Sequence, residues 1–167
     1  MAEFKKRKTT RLQNADYNEN GTYFITLCTQ NKRCVLSRIT KSSEGPAVEM
    51  LPYGKIAEKY IRQLNDFYND ISIERYVIMP NHIHILMCVE TVESTASTVQ
   101  NSSLSKFIST FKRFTNKDCG KNIWQYRSYD HIIRNEKDYE EHANYVYYNP
   151  LRWHYDELYT IEKEENL

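Results

Sequence analysis

The sequence predicts an α+β fold, and three observations predict it. Runs of β-branched and aromatic residues at 21–29, 71–78 and 82–89 have the length and composition of strands. The last two are separated only by Met79-Pro80-Asn81, so they form an antiparallel hairpin. Apolar residues recur at helical spacing in 52–68 and 104–117, as two helices with one buried face each require. With 167 residues the chain suits one domain with a substantial core.

Each element follows from local chemistry. Residues 1–12 form a basic arm, with Lys5, Lys6, Arg7, Lys8 and Arg11 against Glu3. A turn-like Asn-Glu-Asn-Gly stretch then leads into the first strand, Gly21 to Thr29, and a second short strand at 34–39 is expected to pair with it. Residues 41–46 are polar, end in Gly45-Pro46 and read as a loop, with a further short strand at 47–51. Pro52 opens a helix whose buried stripe is predicted to be Ile56, Tyr60, Leu64 and Phe67. After the hairpin, 90–103 lacks any period and reads as an exposed connector. The next helix has an apolar side of Leu104, Phe107, Ile108, Phe111 and Phe114, while Lys106, Arg113 and Lys117 fall on the opposite side. Residues 124–133 are aromatic and irregular. A last helix starts after Asn135, a good N-cap, with Glu136 and Asp138 in its first turn, and Pro150 ends it near Tyr148. Residues 13–153 make up the domain, and 154–167 read as an acidic tail.

Bulk properties narrow the function less than their distribution does. A net charge of +1 announces no nucleic-acid partner, yet one end of the chain is basic and the other acidic. Cys28, Cys34, Cys88 and Cys119 form no Cys-x-x-Cys pair, which points to reduced, buried thiols rather than a zinc or redox motif. No 18-residue apolar run and no apolar segment after the charged N-terminus is present, so no membrane partner is expected and the cytoplasm is the expected compartment. The 14 tyrosines suit base stacking as well as packing.

The stretch MPNHIHILM carries the first chemistry. In a strand His82 and His84 share one face while Ile83 and Ile85 share the other. Two imidazoles in an otherwise apolar strand need polar partners, and a divalent metal is a good one. Two ligands are too few. The last helix offers a third, because Asn149 lies one turn beyond Tyr145 on the same face, where its amide oxygen reaches an ion beside the phenol. Alternatively, Tyr145, Val146 and Tyr148 are the core face of that helix.

These residues lie in a longer pattern. The segments RYVIMPNHIH (75–84), LSKFI (104–108), WQ (124–125), DHIIRN (130–135) and YVYYNP (145–150), with Asp16-Tyr17, GTYFIT (21–26) and Cys28-Thr29, resemble the REP-associated tyrosine transposases. These are relatives of the single-strand transposases in the HUH endonuclease superfamily. The resemblance spans about residues 11 to 153 in family order and spacing. It implies a ferredoxin-like (RRM-like) antiparallel sheet with helices packed on one face, the two histidines on a central strand, and the nucleophile on the last helix. By position, His82, His84 and Asn149 are metal ligands and Tyr145 is the nucleophile. The implied activity is metal-dependent cleavage and rejoining of single-stranded DNA beside palindromic-repeat hairpins, through a 5′-phosphotyrosine intermediate and a free 3′-hydroxyl, by a monomer or homodimer.

The residue types suit that chemistry. A phenol has a pKa near 10 and is a weak nucleophile unless the developing charge is stabilised. A mixed nitrogen and oxygen ligand set fits Mg²⁺ or Mn²⁺, and Mn²⁺ tolerates imidazole better. Lys106, Lys112, Arg113 and Lys117, with the basic arm, are candidates for a phosphate track. Arg127 and His131 are candidates for phosphate contact or assistance to the leaving oxygen, and Tyr126 and Tyr129 for stacking on unpaired bases. Two other activities fit the same residues: a non-catalytic DNA-hairpin-binding module, and a nuclease that initiates rolling-circle replication.

Overall fold

The computed structural model describes residues 20–90 and 103–160. The basic arm, Asp16-Tyr17 and most of the 90–103 connector lie outside the described residues. The strands are β1 (Gly21–Cys28), β2 (Ser37–Ser42), β3 (Gly45–Met50), β4 (Ile71–Ile78), β5 (His82–Val89) and β6 (Tyr129–Ile132). The helices are α1 (Pro52–Phe67), α2 (Ser103–Asp118) and α3 (Glu136–Tyr148). The main sheet has the order β4-β5-β1-β6 with every pair antiparallel, and β2 and β3 form a separate two-stranded sheet. This is the expected α+β, ferredoxin-like arrangement.

β1 and β5 are central, which is why both are buried on both faces and read as near-continuous apolar runs. One face carries Tyr23, Ile25, Leu27, Ile83, Ile85 and Met87, packed against Ala57, Ile61 and Leu64 of α1 and Leu104, Phe107 and Phe111 of α2. The other carries Phe24 and Leu86, on which Val146 of α3 packs. Helices on one face therefore describes α1 and α2, while α3 crosses the face that holds the histidines.

Several local expectations are corrected. β2 does not pair with β1, because both edges of β1 are taken by β5 and β6; it pairs with β3 instead. Its bounds move from 34–39 to Ser37–Ser42, fixed at the start by the Ser37 hydroxyl donating to the Ile78 carbonyl (2.8 Å). The polar 41–46 stretch is mostly strand. Its turn is closed by the Ser42 hydroxyl donating to the Gly45 carbonyl (2.7 Å), with Gly45 at φ 118, where glycine is favoured. The buried residues of α1 are Gly54, Ala57, Ile61 and Leu64, so only Leu64 of the predicted stripe is buried, and Phe67 is 73% exposed. Residues 124–133 contain a strand, β6, paired with β1. The four cysteines form no disulfide, as expected, but are half-buried rather than buried.

α3 begins and ends as its sequence predicts. The Asn135 side-chain oxygen accepts from the Asp138 backbone N–H (2.9 Å). The helix stops at Tyr148, but Asn149 keeps helical angles (φ −56, ψ −43) although the following Pro150 ring disfavours them. Beyond it, the segment set apart as an acidic tail folds back as far as the structure describes it. A 3₁₀ turn at Trp153–Tyr155 buries Trp153, and the Asn81 side-chain amide donates to the Leu158 carbonyl (2.8 Å) and to the Thr160 hydroxyl (3.1 Å).

Candidate metal and nucleophile site

The two-residue repeat of β5 puts His82 and His84 on the α3 face of the sheet, as the sequence requires, with 0% and 3% exposure. Register supplies their orienting partners. Thr26 lies opposite His84, and its hydroxyl is 2.8 Å from His84 Nδ1. Asn81 Oδ1 is 2.8 Å from His82 Nδ1. Because the Asn81 amide nitrogen is committed to Leu158, Thr160 and Lys32, its oxygen must face the ring, so His82 Nδ1 carries the proton and its Nε2 lone pair faces the site. Such partners fix tautomer and ring orientation.

Burial pushes His82 down to about 4, against an opposing pull from Asp156, and pushes His84 well below the usual imidazole range, helped by His82 and His142. Both rings are therefore neutral near pH 7, the form in which imidazole binds metals. Among the described residues, His82 Nε2, His84 Nε2 and Asn149 Oδ1 are buried and have no hydrogen-bond partner. Buried polar atoms are rarely left so, and here all three are of kinds that ligate divalent ions. The residues present fit a divalent cation.

Tyr145 is brought beside them. Its ring meets His84 edge-on at 5.1 Å between centroids, and it stays 42% exposed. Its hydroxyl donates to Asp156 Oδ2 (3.0 Å), and Asn149 Nδ2 donates to the same oxygen (2.8 Å). Burial first, and then the Asp156 charge, raise the phenol well above its ordinary range. Tyr145 faces a cavity of about 590 Å³ whose walls include Phe24, Thr26, His84, Tyr129 and Asp156. Tyr145 and Tyr148 are exposed and only Val146 of the three is buried, which removes the reading of this stripe as a core face.

The remaining candidates separate. Tyr129 lies opposite Thr26 and lines the cavity, while the side chains of Tyr126 (97% exposed) and Arg127 are exposed just before β6. His131 shares the α3 face but is engaged by Asp138, whose two oxygens lie 3.0 Å from its Nε2, and it stacks on His142 at 4.7 Å. It secures the start of α3 to β6 rather than pointing into the cavity. Lys112 is not a free phosphate contact: its Nζ donates to the carbonyls of Gln125 (2.8 Å) and Tyr126 (3.1 Å), and burial lowers it to about 8. Lys106, Arg113 and Lys117 are exposed, but α2 packs on the sheet face opposite the histidines, so they point away from the site. Asp156, Thr26 and Asn81 were missed as site residues. Asn81 sits next to His82 and was within reach of inspection; Thr26 required strand register, and Asp156 required the path of the last segment.

No protein-family profile matches the chain. A REP-associated tyrosine transposase of Escherichia coli is 32% identical over 137 residues, covering 81% of this chain and 70% of that protein. A putative REP-associated tyrosine transposase of Haemophilus influenzae is 27% identical over 157 residues, covering 86% and 77%. An uncharacterized protein of Haemophilus influenzae is 28% identical over 172 aligned positions, covering 92% and 93%. A solved structure described as a REP-associated tyrosine transposase bound to a REP hairpin superposes with a TM-score of 0.60 and 25% identity, over 91% of this chain and 74% of that one. From this likeness in sequence and fold, the chain belongs to the REP-associated tyrosine transposase family.

Proposed function

We propose that this chain is a metal-dependent endonuclease and strand-transferase that cuts and rejoins single-stranded DNA beside palindromic-repeat hairpins, with Tyr145 as the nucleophile. The observation that carries this reading is the Tyr145 ring set against His84 at one cavity, with Asn149 joined to the phenol through Asp156 and with His82 Nε2, His84 Nε2 and Asn149 Oδ1 buried and without a hydrogen-bond partner among the described residues. The hairpin bound in the related structure supports the substrate class.

A divalent ion such as Mg²⁺ or Mn²⁺, when held by His82, His84 and Asn149, would supply a positive centre for the scissile phosphate. Tyr145 presents its oxygen in that cavity; the Tyr145 Oη–P bond forms and the P–O3′ bond breaks. The phenol proton passes along its hydrogen bond to Asp156 and on to water, and the departing 3′-oxygen takes one proton from water to end as a hydroxyl, so the protons balance. One phosphodiester replaces another, so the reverse step rejoins strands without a nucleotide cofactor. Tyr129, on the cavity wall, would stack on an unpaired base, and the exposed Tyr126 and Arg127 just before it in the chain would add stacking and phosphate contact.

The test uses a repeat hairpin with single-stranded flanks, labelled at its 3′ end so that the label stays on the protein. With Mn²⁺ the wild type is expected to form an adduct that survives denaturation, and Tyr145→Phe to form none. An adduct of wild-type yield in Tyr145→Phe would remove the nucleophile assignment. Tight, metal-independent binding with no adduct under any divalent ion would leave the hairpin-binding module instead.

A further inference from the structure

The folded-back segment brings one carboxylate to the site. The Asp156 side chain is 2% exposed. Its Oδ1 accepts from the Leu158 backbone N–H (2.7 Å), and its Oδ2 accepts from Tyr145 and Asn149 and stands 3.9 Å from His82 Nε2. The groups on its two oxygens are a peptide N–H, a phenol and an amide, all neutral donors. Removing a carboxylate from water is unfavourable unless a positive charge compensates it, and this set of donors supplies none.

We propose that Asp156 is the anionic ligand of the divalent ion that His82, His84 and Asn149 hold. The inference rests on the reading of those three residues given above and adds a ligand from a different part of the chain. One ligand atom from each of His82, His84 and Asp156 lies within 4.8 Å of the others. Donors about 2.1 Å from a shared centre lie roughly 3 to 4 Å apart, and the His82–Asp156 separation is within that span. Hard divalent ions favour carboxylate oxygen, which two imidazoles and an amide do not offer. The same contact fixes the third ligand: by donating Nδ2 to Asp156, Asn149 is held in one amide orientation that leaves its buried oxygen unpartnered among the described residues. Tyr145 is then hydrogen-bonded to a ligand oxygen, which ties the nucleophile to the ion.

The test measures Mn²⁺ binding to the full chain without DNA, by the electron paramagnetic resonance signal of free Mn²⁺. The wild type is expected to show one saturable site that His82→Gln abolishes. Asp156→Asn, nearly the same shape, is expected to weaken it tenfold or more, and Asp156→Glu, which keeps the charge, to weaken it less. Wild-type affinity in Asp156→Asn, in a protein where His82→Gln still abolishes binding, would overturn the Asp156 assignment alone. A wild type that binds no Mn²⁺ would overturn the three-ligand reading with it.

Discussion

His82 shows how one side chain links stability to function. Buried in β5 with its Nε2 unpartnered, it remains neutral until the pH falls to about 4, whereas in the unfolded chain it takes up a proton near 6.5. Between those values the unfolded state binds more protons, so stability decreases as the pH falls through that window and is insensitive to this group above it. His84 is depressed in the same direction. Urea midpoints measured in a metal chelator at pH 7, 6 and 5 are expected to fall steadily, and His82→Gln to fall less over the same range. A wild-type midpoint constant from pH 7 to pH 5 would contradict the neutral, buried pair. Divalent ion should raise the midpoint at pH 7, since it binds the folded ligand set and not the separated residues.

At the scale of elements, α1 shows what a sequence pattern gives and withholds. Pro52 as its start and a helix to residue 67 were readable, because capping and period are local. The buried face was not: Gly54 and Ala57 lie toward the core because α1 runs almost against the backbone at Leu36, a closeness that only the finished fold defines. A Cβ at Gly54 would collide with the Leu36 carbonyl oxygen and stand 2.9 Å from its carbon. In an exposed helix, glycine to alanine stabilises by about 1 kcal/mol. Here the sign reverses, and Gly54→Ala is expected to destabilise by about 2 kcal/mol or more, read from urea unfolding. A stabilised variant would show that α1 packs less closely than described. β6 escaped the sequence for a related reason: four residues carry too little alternation to stand out, and their partner β1 lies about a hundred residues earlier. α3, by contrast, was legible at both ends, since Asn135, Glu136, Asp138 and Pro150 are local signals.

At the scale of the whole molecule, the site depends on which face of the sheet α3 covers. Helical spacing identifies Tyr145 and Asn149 as neighbours, and strand alternation identifies His82 and His84 as another pair, but neither says that the pairs meet. Packing decides it: Val146 seats on Phe24 and Leu86, the even-numbered face of β1 and β5, which is the face of the histidines. Asp156 was hidden for the same reason, because its segment has no periodicity and reaches the site through Trp153, whose ring lies 5.9 Å from that of His82, and through the Leu158 carbonyl on Asn81. All five groups of the proposed site, His82, His84, Tyr145, Asn149 and Asp156, come together within one chain, so the proposal has each copy working on its own. Mixing Tyr145→Phe protein with a His82→Gln, His84→Gln protein is therefore expected to give no adduct on the labelled hairpin. If α3 instead reached across to a neighbouring copy, a mixed pair would combine intact histidines with an intact tyrosine, and about a quarter to a half of wild-type adduct would return by random pairing. Recovery at that level would mean that the phenol serves the partner's ion site, with the geometry of α3 over its own sheet exchanged between copies.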